Sequence, residues 1–194
     1  MKTTRLEAFS DAVIAIILTI MVLDLKAPHE CSPNALLKLL PNFFCYILSF
    51  VIIAIYWVNH HHLIHLAQKV DAPVLWANVH LLFWMTLIPW TTAYLGESCA
   101  IPLAVALYGI VALACSASFH LLRAAIARHH RADADLVKLH RSIRRKNLMV
   151  IVVYAISIPL AWVSVPLALA LIALPALLYF LPDRRIEQHH NGQS

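Results

Sequence analysis

The sequence predicts an all-α integral membrane protein with six transmembrane helices per chain, and three observations support this prediction. Of the 194 residues, 61% are hydrophobic and 13% are charged, whereas soluble domains have about 45–50% apolar and about 25% charged residues. The apolar residues form runs that reach the roughly 20 residues needed to cross a bilayer. The lysines and arginines lie mainly between those runs. We divide the chain into one six-span unit, residues 1–182, and a polar tail, residues 183–194, which we expect to lack regular structure.

The first span is predicted over residues 7–25. Between residues 12 and 23 it contains a single polar side chain, Thr19. Ile16, Ile20 and Leu23 recur at i, i+4 and i+7, so a helix places them on one stripe. The run lacks the small-residue cleavage site of a signal peptide, and we expect it to remain in the mature protein.

Acidic side chains mark both edges of this span. Ser10 and Asp11 lie just inside its start, and Asp24 lies at its end. A carboxylate at the edge of a membrane segment is costly and usually has a partner and a function. The pattern suits a helix that lines a narrow pore, although an ordinary membrane helix with a polar start would show it too.

Five further spans follow. Asn34 is a predicted helix cap, and Pro41 either kinks the second span or marks its start. Asp71 opens the third span, and a hairpin around Pro166 joins the last two. The predicted spans cover residues 36–58, 73–95, 100–122, 147–163 and 165–182.

The distribution of positive charge predicts the orientation. Of the 15 lysines and arginines, only Lys26 and Lys38 fall in loops on the side opposite the N-terminus. Cytoplasmic loops carry the excess of positive charge. We therefore predict that the protein lies in the inner (plasma) membrane and that both termini are in the cytoplasm. The basic stretch 123–146 is either an inner-leaflet anchor for anionic lipid or a solvated helix. This arrangement gives no support for nucleic-acid binding.

Several short motifs resemble the transmembrane protein 175 family, the bacterial relatives of the lysosomal potassium channel. The first is an R-x-x-x-F-S-D signature formed by Arg5, Phe9, Ser10 and Asp11. Trp57, followed by the histidines at 60–62, is similar to a second family pattern. The segment 87–92 with Gly96 and Glu97 is similar to a third.

This resemblance implies a homotetrameric cation channel that prefers potassium over sodium, with the first helix lining a central pore. It places the pore constriction at Ile16, Ile20 and Leu23, with Ile16 the most important ring. Thr19 and Asp24 are predicted to add polar groups to the pore, the latter at its outer mouth. The animal members carry two copies of this unit per chain, whereas this sequence has one, so four chains are required.

The resemblance also implies that the Arg5/Phe9/Ser10/Asp11 motif forms a polar network among the first three helices. We expect Asp11 to accept hydrogen bonds from the histidines that end the second span, or from Asn78 or His80. A gate or proton-sensing latch is the alternative role for this motif. The runner-up function is accordingly a proton-permeable or proton-coupled pathway that uses Asp11 and the histidines.

Metal and enzyme functions have weaker support. His61 and His65 have the i, i+4 spacing of zinc ligands, but the neighbouring sequence supplies no acid to complete a set, so no metal site is predicted. A membrane scaffold or metal-binding protein without conduction is the third class. No catalytic motif is found, and no cofactor is predicted besides the permeant ion, K⁺.

The four cysteines show no C-x-x-C spacing. Cys45 and Cys115 lie in apolar runs, where a free thiol behaves as a small hydrophobic group. Cys31 and Cys99 fall in loops on the same predicted side of the membrane. A disulfide between them is compatible with this layout, but the sequence does not give the separation that it requires.

Overall fold

The computed structural model describes residues 3–28, 32–67, 69–98, 101–128 and 134–180. Apart from a 3₁₀ position at Arg128, all regular secondary structure in these residues is α-helical. The helices are α1 Thr3–Leu23, α2 Pro33–Lys38, α3 Leu40–His65, α4 Ala72–Met85, α5 Ile88–Glu97, α6 Pro102–Ala127, α7 Ala134–Leu160 and α8 Val165–Phe180.

Four segments of the described chain are long and apolar enough to cross a membrane. They are Thr3–Leu23, Leu40–His65, Ala72–Glu97 and Pro102–Ala127, the third of which comprises both α4 and α5. The prediction of an all-helical membrane protein is therefore confirmed. Helix α8 is apolar but only 16 residues long, and α7 begins in the basic stretch, so the fifth and sixth spans remain predictions.

The second span begins later than predicted. It starts at Leu40 instead of residue 36, because the preceding residues form the short separate helix α2. Ser32, not Asn34, is the cap of α2, and its side chain accepts a hydrogen bond from the Ala35 amide at 3.2 Å. Proline at the first helical position favours a start immediately after Ser32, which places Asn34 inside the helix. Pro41 lies in the first turn of α3 and so marks its beginning.

The third span is divided into two helices. Asp71 opens it as predicted, and its Oδ1 accepts a hydrogen bond from the Val74 amide at 3.1 Å. Helix α4 ends at Met85, and α5 begins at Ile88 with Pro89 in its first turn. Proline has no amide hydrogen to donate, so the backbone hydrogen-bond ladder is interrupted at this point.

Helix α6 lies at the centre of the bundle and α1 at its edge. Helix α6 packs against α4, α5, α7 and α8, whereas α1 packs against α3, α4 and α5. One apolar cluster joins α1, α3, α4 and α6, and a second joins α3, α6, α7 and α8. The described chain therefore covers only one side of α1.

The later part of the basic stretch, residues 134–146, and most of the predicted fifth span form a single helix. Helix α7 runs without a break from Ala134 to Leu160, ends after Pro159, and is joined to α8 by a short turn. The two helices pack together as the predicted hairpin. The predictions about Cys31, Cys99 and the tail 183–194 lie outside the described residues, while Cys45 and Cys115 are free thiols.

Candidate functional site

Helix α1 presents two chemically different faces. Its inner face is buried against the chain and consists of Leu6, Ser10, Ile14, Ile17 and Met21. On the other side, the predicted pore residues Ile16, Ile20 and Leu23 are 56%, 46% and 76% exposed. The predicted stripe thus lies on the face of α1 that the described chain leaves uncovered.

Two polar residues accompany this stripe. Thr19 is exposed, and its Oγ1 donates a hydrogen bond to the Ile16 carbonyl oxygen at 2.9 Å. Asp24 is exposed immediately after the last residue of α1. Ile16, Ile20 and Asp24 line one wall of an open groove of about 550 Å³, whose other wall includes Trp90 of α5.

The buried face of α1 is attached to two other spans through Ser10. Asn78 Nδ2 donates to Ser10 Oγ at 2.9 Å, and Ser10 Oγ donates to the Leu6 carbonyl oxygen at 2.8 Å. His60 Nε2 lies 2.7 Å from Asn78 Oδ1, and it must donate because an amide oxygen can only accept. All three of Ser10, Asn78 and His60 are at most 1% exposed. This chain of hydrogen bonds joins α1, α3 and α4.

Asp11 has a different partner from those expected. Its Oδ1 accepts a hydrogen bond from Trp57 Nε1 of α3 at 3.0 Å. The expected donor Asn78 binds Ser10 instead, and His80 binds Ser118 Oγ through Nδ1 at 2.8 Å and accepts from Trp84 Nε1 at 3.2 Å. Buried hydrogen bonds do connect the first three spans, and they pass through Ser10 and not through Asp11.

The remaining residues of the motif lie outside this network. Arg5 is exposed, and Phe9 is 55% exposed on the uncovered side of α1. The four-residue motif is therefore split, with Ser10 and Asp11 contacting α3 and α4 while Phe9 faces away from the chain's own core.

A second buried network was not predicted from the sequence. Thr92 Oγ1 donates to Ser49 Oγ at 2.7 Å, and Ser49 Oγ lies 2.8 Å from Tyr108 Oη. These contacts connect α3, α5 and α6. The sequence signal for this network is the presence of hydroxyl side chains isolated within apolar runs. Such side chains often form hydrogen bonds between helices in membranes.

Glu7 is a further residue that sequence reasoning missed. Its Oε1 lies 2.9 Å from His61 Nδ1 and 3.3 Å from His65 Nε2. Glu7 precedes Asp11 by four residues, and His61 follows Trp57 by four. Once the Asp11–Trp57 contact is known, an antiparallel pair of helices brings Glu7 next to His61 one turn farther along.

Known proteins are similar to this chain over most of its length. A family model described as "Endosomal/lysosomal potassium channel TMEM175" matches residues 5–89. A potassium channel of Chryseobacterium sp. (strain P1-3) is 40% identical over 188 residues, which cover 97% of this chain and 97% of that protein. The chain belongs to the TMEM175 family.

Further TMEM175 relatives agree with this assignment. The crystal structure of a lysosomal potassium-selective channel TMEM175 homolog from Chamaesiphon minutus superimposes with a TM-score of 0.81 at 28% identity, covering 92% of this chain and 96% of that one. The endosomal/lysosomal proton channel TMEM175 of Mus musculus is 25% identical over 75% of this chain, a region that spans 30% of the mouse protein. The family resemblance and the membrane character of the protein are thus confirmed.

Proposed function

We propose that this protein is a potassium-favouring cation channel, in which four copies of a six-span chain surround a pore lined by α1. The relatives named as potassium channels support the choice of ion. The observation that carries the proposal is the uncovered apolar stripe on α1, formed by Ile16, Ile20 and Leu23. The opposite face of the same helix is fixed to α3 and α4 by buried hydrogen bonds.

Rings of Ile16, Ile20 and Leu23 around a shared axis would form stacked apolar constrictions. Such a constriction gates by excluding water, and an ion passes only when the rings are wide enough for it to keep much of its hydration. K⁺ holds its hydration shell less tightly than the smaller Na⁺. A narrow apolar passage therefore favours K⁺ without the carbonyl filter of other potassium channels.

Thr19 and Asp24 fit two further roles in this pore. The hydroxyl hydrogen of Thr19 is directed to the Ile16 carbonyl, which leaves oxygen lone pairs to contact a passing cation. A ring of Asp24 carboxylates at the end of the stripe raises the local concentration of cations. The outer mouth is thereby selective for positive charge before the constriction acts.

Oligomerisation follows from the position of α1. The helix lies at the edge of the bundle and the described chain covers only its inner side, so one chain does not enclose a pore. Closed symmetric assembly supplies the missing walls. We further propose that the termini are cytoplasmic in the inner (plasma) membrane, and that the basic stretch 123–146 faces anionic lipid.

The test is ion flux from liposomes that contain the purified protein, under a K⁺ gradient and then with Na⁺ replacing K⁺. The wild type should favour K⁺, and Ile16→Asn should raise the flux and weaken the preference. Val22→Asn is the matched control, because Val22 is also exposed on α1 but lies six residues, or about 120°, around the helix from Ile16. Flux that is absent from assembled wild type, or equal effects of the two substitutions, would refute the pore assignment.

The runner-up is a proton-permeable pathway, and two observations favour keeping it. The mouse relative is named a proton channel, and two acids of α1 contact polar ring nitrogens of α3, Glu7 at His61 and Asp11 at Trp57. Asp11→Asn distinguishes the two functions. It should abolish proton flux in a proton pathway, whereas in the proposed channel K⁺ flux per assembled tetramer is retained and assembly is weakened.

A further inference from the structure

We propose that Glu7, His61 and His65 form a binding site for a divalent transition-metal ion such as Zn²⁺. Glu7 Oε1 lies 2.9 Å from His61 Nδ1 and 3.3 Å from His65 Nε2. The three potential ligand atoms all lie within 4.8 Å of one another. The two histidines alone did not predict a site, because the acid that completes the set comes from a different helix.

The donor set matches the chemistry of zinc. Two imidazole nitrogens and one carboxylate oxygen are a known set of protein ligands, with a fourth position left for water. Zinc bonds of about 2.1 Å in a tetrahedron place neighbouring ligand atoms about 3.4 Å apart. The His65–Glu7 separation of 3.3 Å is close to this value, the His61–Glu7 separation of 2.9 Å must widen by about 0.5 Å, and the two histidine nitrogens lie within 4.8 Å of each other.

The surrounding structure holds these ligands in place before any ion binds. His61 and His65 are one turn apart on α3, and their rings meet edge to face with centroids 4.4 Å apart. Glu7 is held opposite them because α1 is fixed to α3 one turn away by the Asp11–Trp57 hydrogen bond. Positions fixed by packing lower the entropic cost of binding a ligand.

Access to the site is also suitable. The Glu7 side chain is 18% exposed, which shields its carboxylate from bulk water, while the His65 side chain is 61% exposed and open to an arriving ion. A bound ion would connect the first turns of α1 to the last turn of α3. Metal binding would therefore restrict movement of α1 at the end opposite Leu23.

The experiment measures Zn²⁺ bound to the purified, untagged full-length protein after equilibration and desalting. The chain has 12 histidines, so the result is the difference between variants and not the total. Compared with wild type, His65→Ala and Glu7→Gln should each lose about one Zn²⁺ per chain at limiting metal, with affinity reduced at least tenfold, since even outer-shell partners contribute about 10–100-fold. His62→Ala is the matched control, because His62 is an exposed histidine at the same helix end outside the cluster.

A second measurement protects against loss of fold in a variant. Binding to the native state alone raises the unfolding temperature, so Zn²⁺ should raise that of wild type and His62→Ala more than that of His65→Ala. Equal Zn²⁺ content in wild type and His65→Ala, or an equal loss in His62→Ala, would overturn the proposal. So would equal stabilisation of wild type and His65→Ala. Neither measurement involves ion flux, so the result is independent of the proposed channel function.

Discussion

Trp57 donates a hydrogen bond from Nε1 to Asp11 Oδ1 at 3.0 Å, and this contact defines the register of α1 against α3. One turn toward the start of α1, Glu7 meets His61. Ser10, the residue before Asp11, is buried in the core and accepts a hydrogen bond from Asn78. Asp11 and Ser10 therefore have different roles. Asp11 forms its hydrogen bond at the edge of the contact between α1 and α3, and Ser10 forms its hydrogen bond in the buried core.

Trp57→Phe should weaken the contact between α1 and α3 without creating a large cavity. The substitution removes the Nε1 donor and keeps an aromatic ring, so we expect a loss of about 1 kcal/mol in unfolding free energy. Thermal unfolding in detergent and the fraction of assembled protein measure the effect. Trp76→Phe is the control, because Trp76 is 71% exposed on α4, and a loss of equal size there would argue against a specific role for Trp57.

Asn78→Ala should be more destabilising, because it leaves both Ser10 and His60 without their shared partner. Each unsatisfied buried polar group costs about 1–3 kcal/mol. Asn59→Ala provides the comparison, since Asn59 Nδ2 donates within its own helix, to the Ile55 carbonyl oxygen at 2.8 Å. Chemical unfolding of both variants should show the larger loss for Asn78→Ala, and the reverse order would contradict the importance of the buried network.

Gly96→Ala should loosen the packing of α5 against α3. A Cβ at Gly96 would lie 3.1 Å from the Cα of Asn42, and backbone atoms cannot move aside as a side chain can. At Gly109 the three nearest atoms to an added Cβ belong to side chains, those of Ser157 and Ile158 at 3.2 Å and of Ile172 at 3.8 Å. Overpacking costs about 1–3 kcal/mol and the gain in helix propensity is about 1 kcal/mol. We therefore expect unfolding measurements to show a net loss for Gly96→Ala and little change for Gly109→Ala.

Asp24→Asn should lower K⁺ conductance mainly at low ionic strength. Charges at a pore mouth concentrate counterions, and the effect disappears at about 1 M salt, where the Debye length is about 3 Å. Single-channel recording at about 10 mM K⁺ should show that the substitution lowers the conductance by up to roughly tenfold. At high salt the variant and the wild type should have the same conductance. Glu97→Gln removes an exposed acid that pairs with Lys26 at 3.5 Å, and an equal reduction in that variant would mean that Asp24 has no special position.

The positions of the spans could be predicted because hydrophobic length determines them. Leu40–His65 and Pro102–Ala127 overlap the apolar runs predicted as spans at 36–58 and 100–122, although their ends differ, and the opening of α4 at Asp71 follows from a cap placed before proline. The stripe of Ile16, Ile20 and Leu23 was likewise readable from helical periodicity alone. These properties depend on residues that are close together in the chain.

Contacts between residues that are far apart in the sequence are harder to predict. Asp11 was expected to bind a histidine or Asn78, but which of several polar groups it meets depends on the rotation of two helices about their axes. The same rotation brings Glu7 to His61, although 54 positions separate them in the sequence. The choice of Ser32 over Asn34 as a cap depended on a shift of two residues, which periodicity does not resolve.

The interruption of the third span at Pro89 has a mechanical consequence. Helix α4 carries Asn78 and is joined to the buried network, whereas α5 carries Trp90 and forms a wall of the groove. Because the hydrogen-bond ladder is interrupted between them, the two helices are anchored separately, α4 through Asn78 and α5 through the Thr92–Ser49 hydrogen bond. The third span therefore has one anchor on each side of Pro89, and we expect the loss of one buried network to leave the other in place.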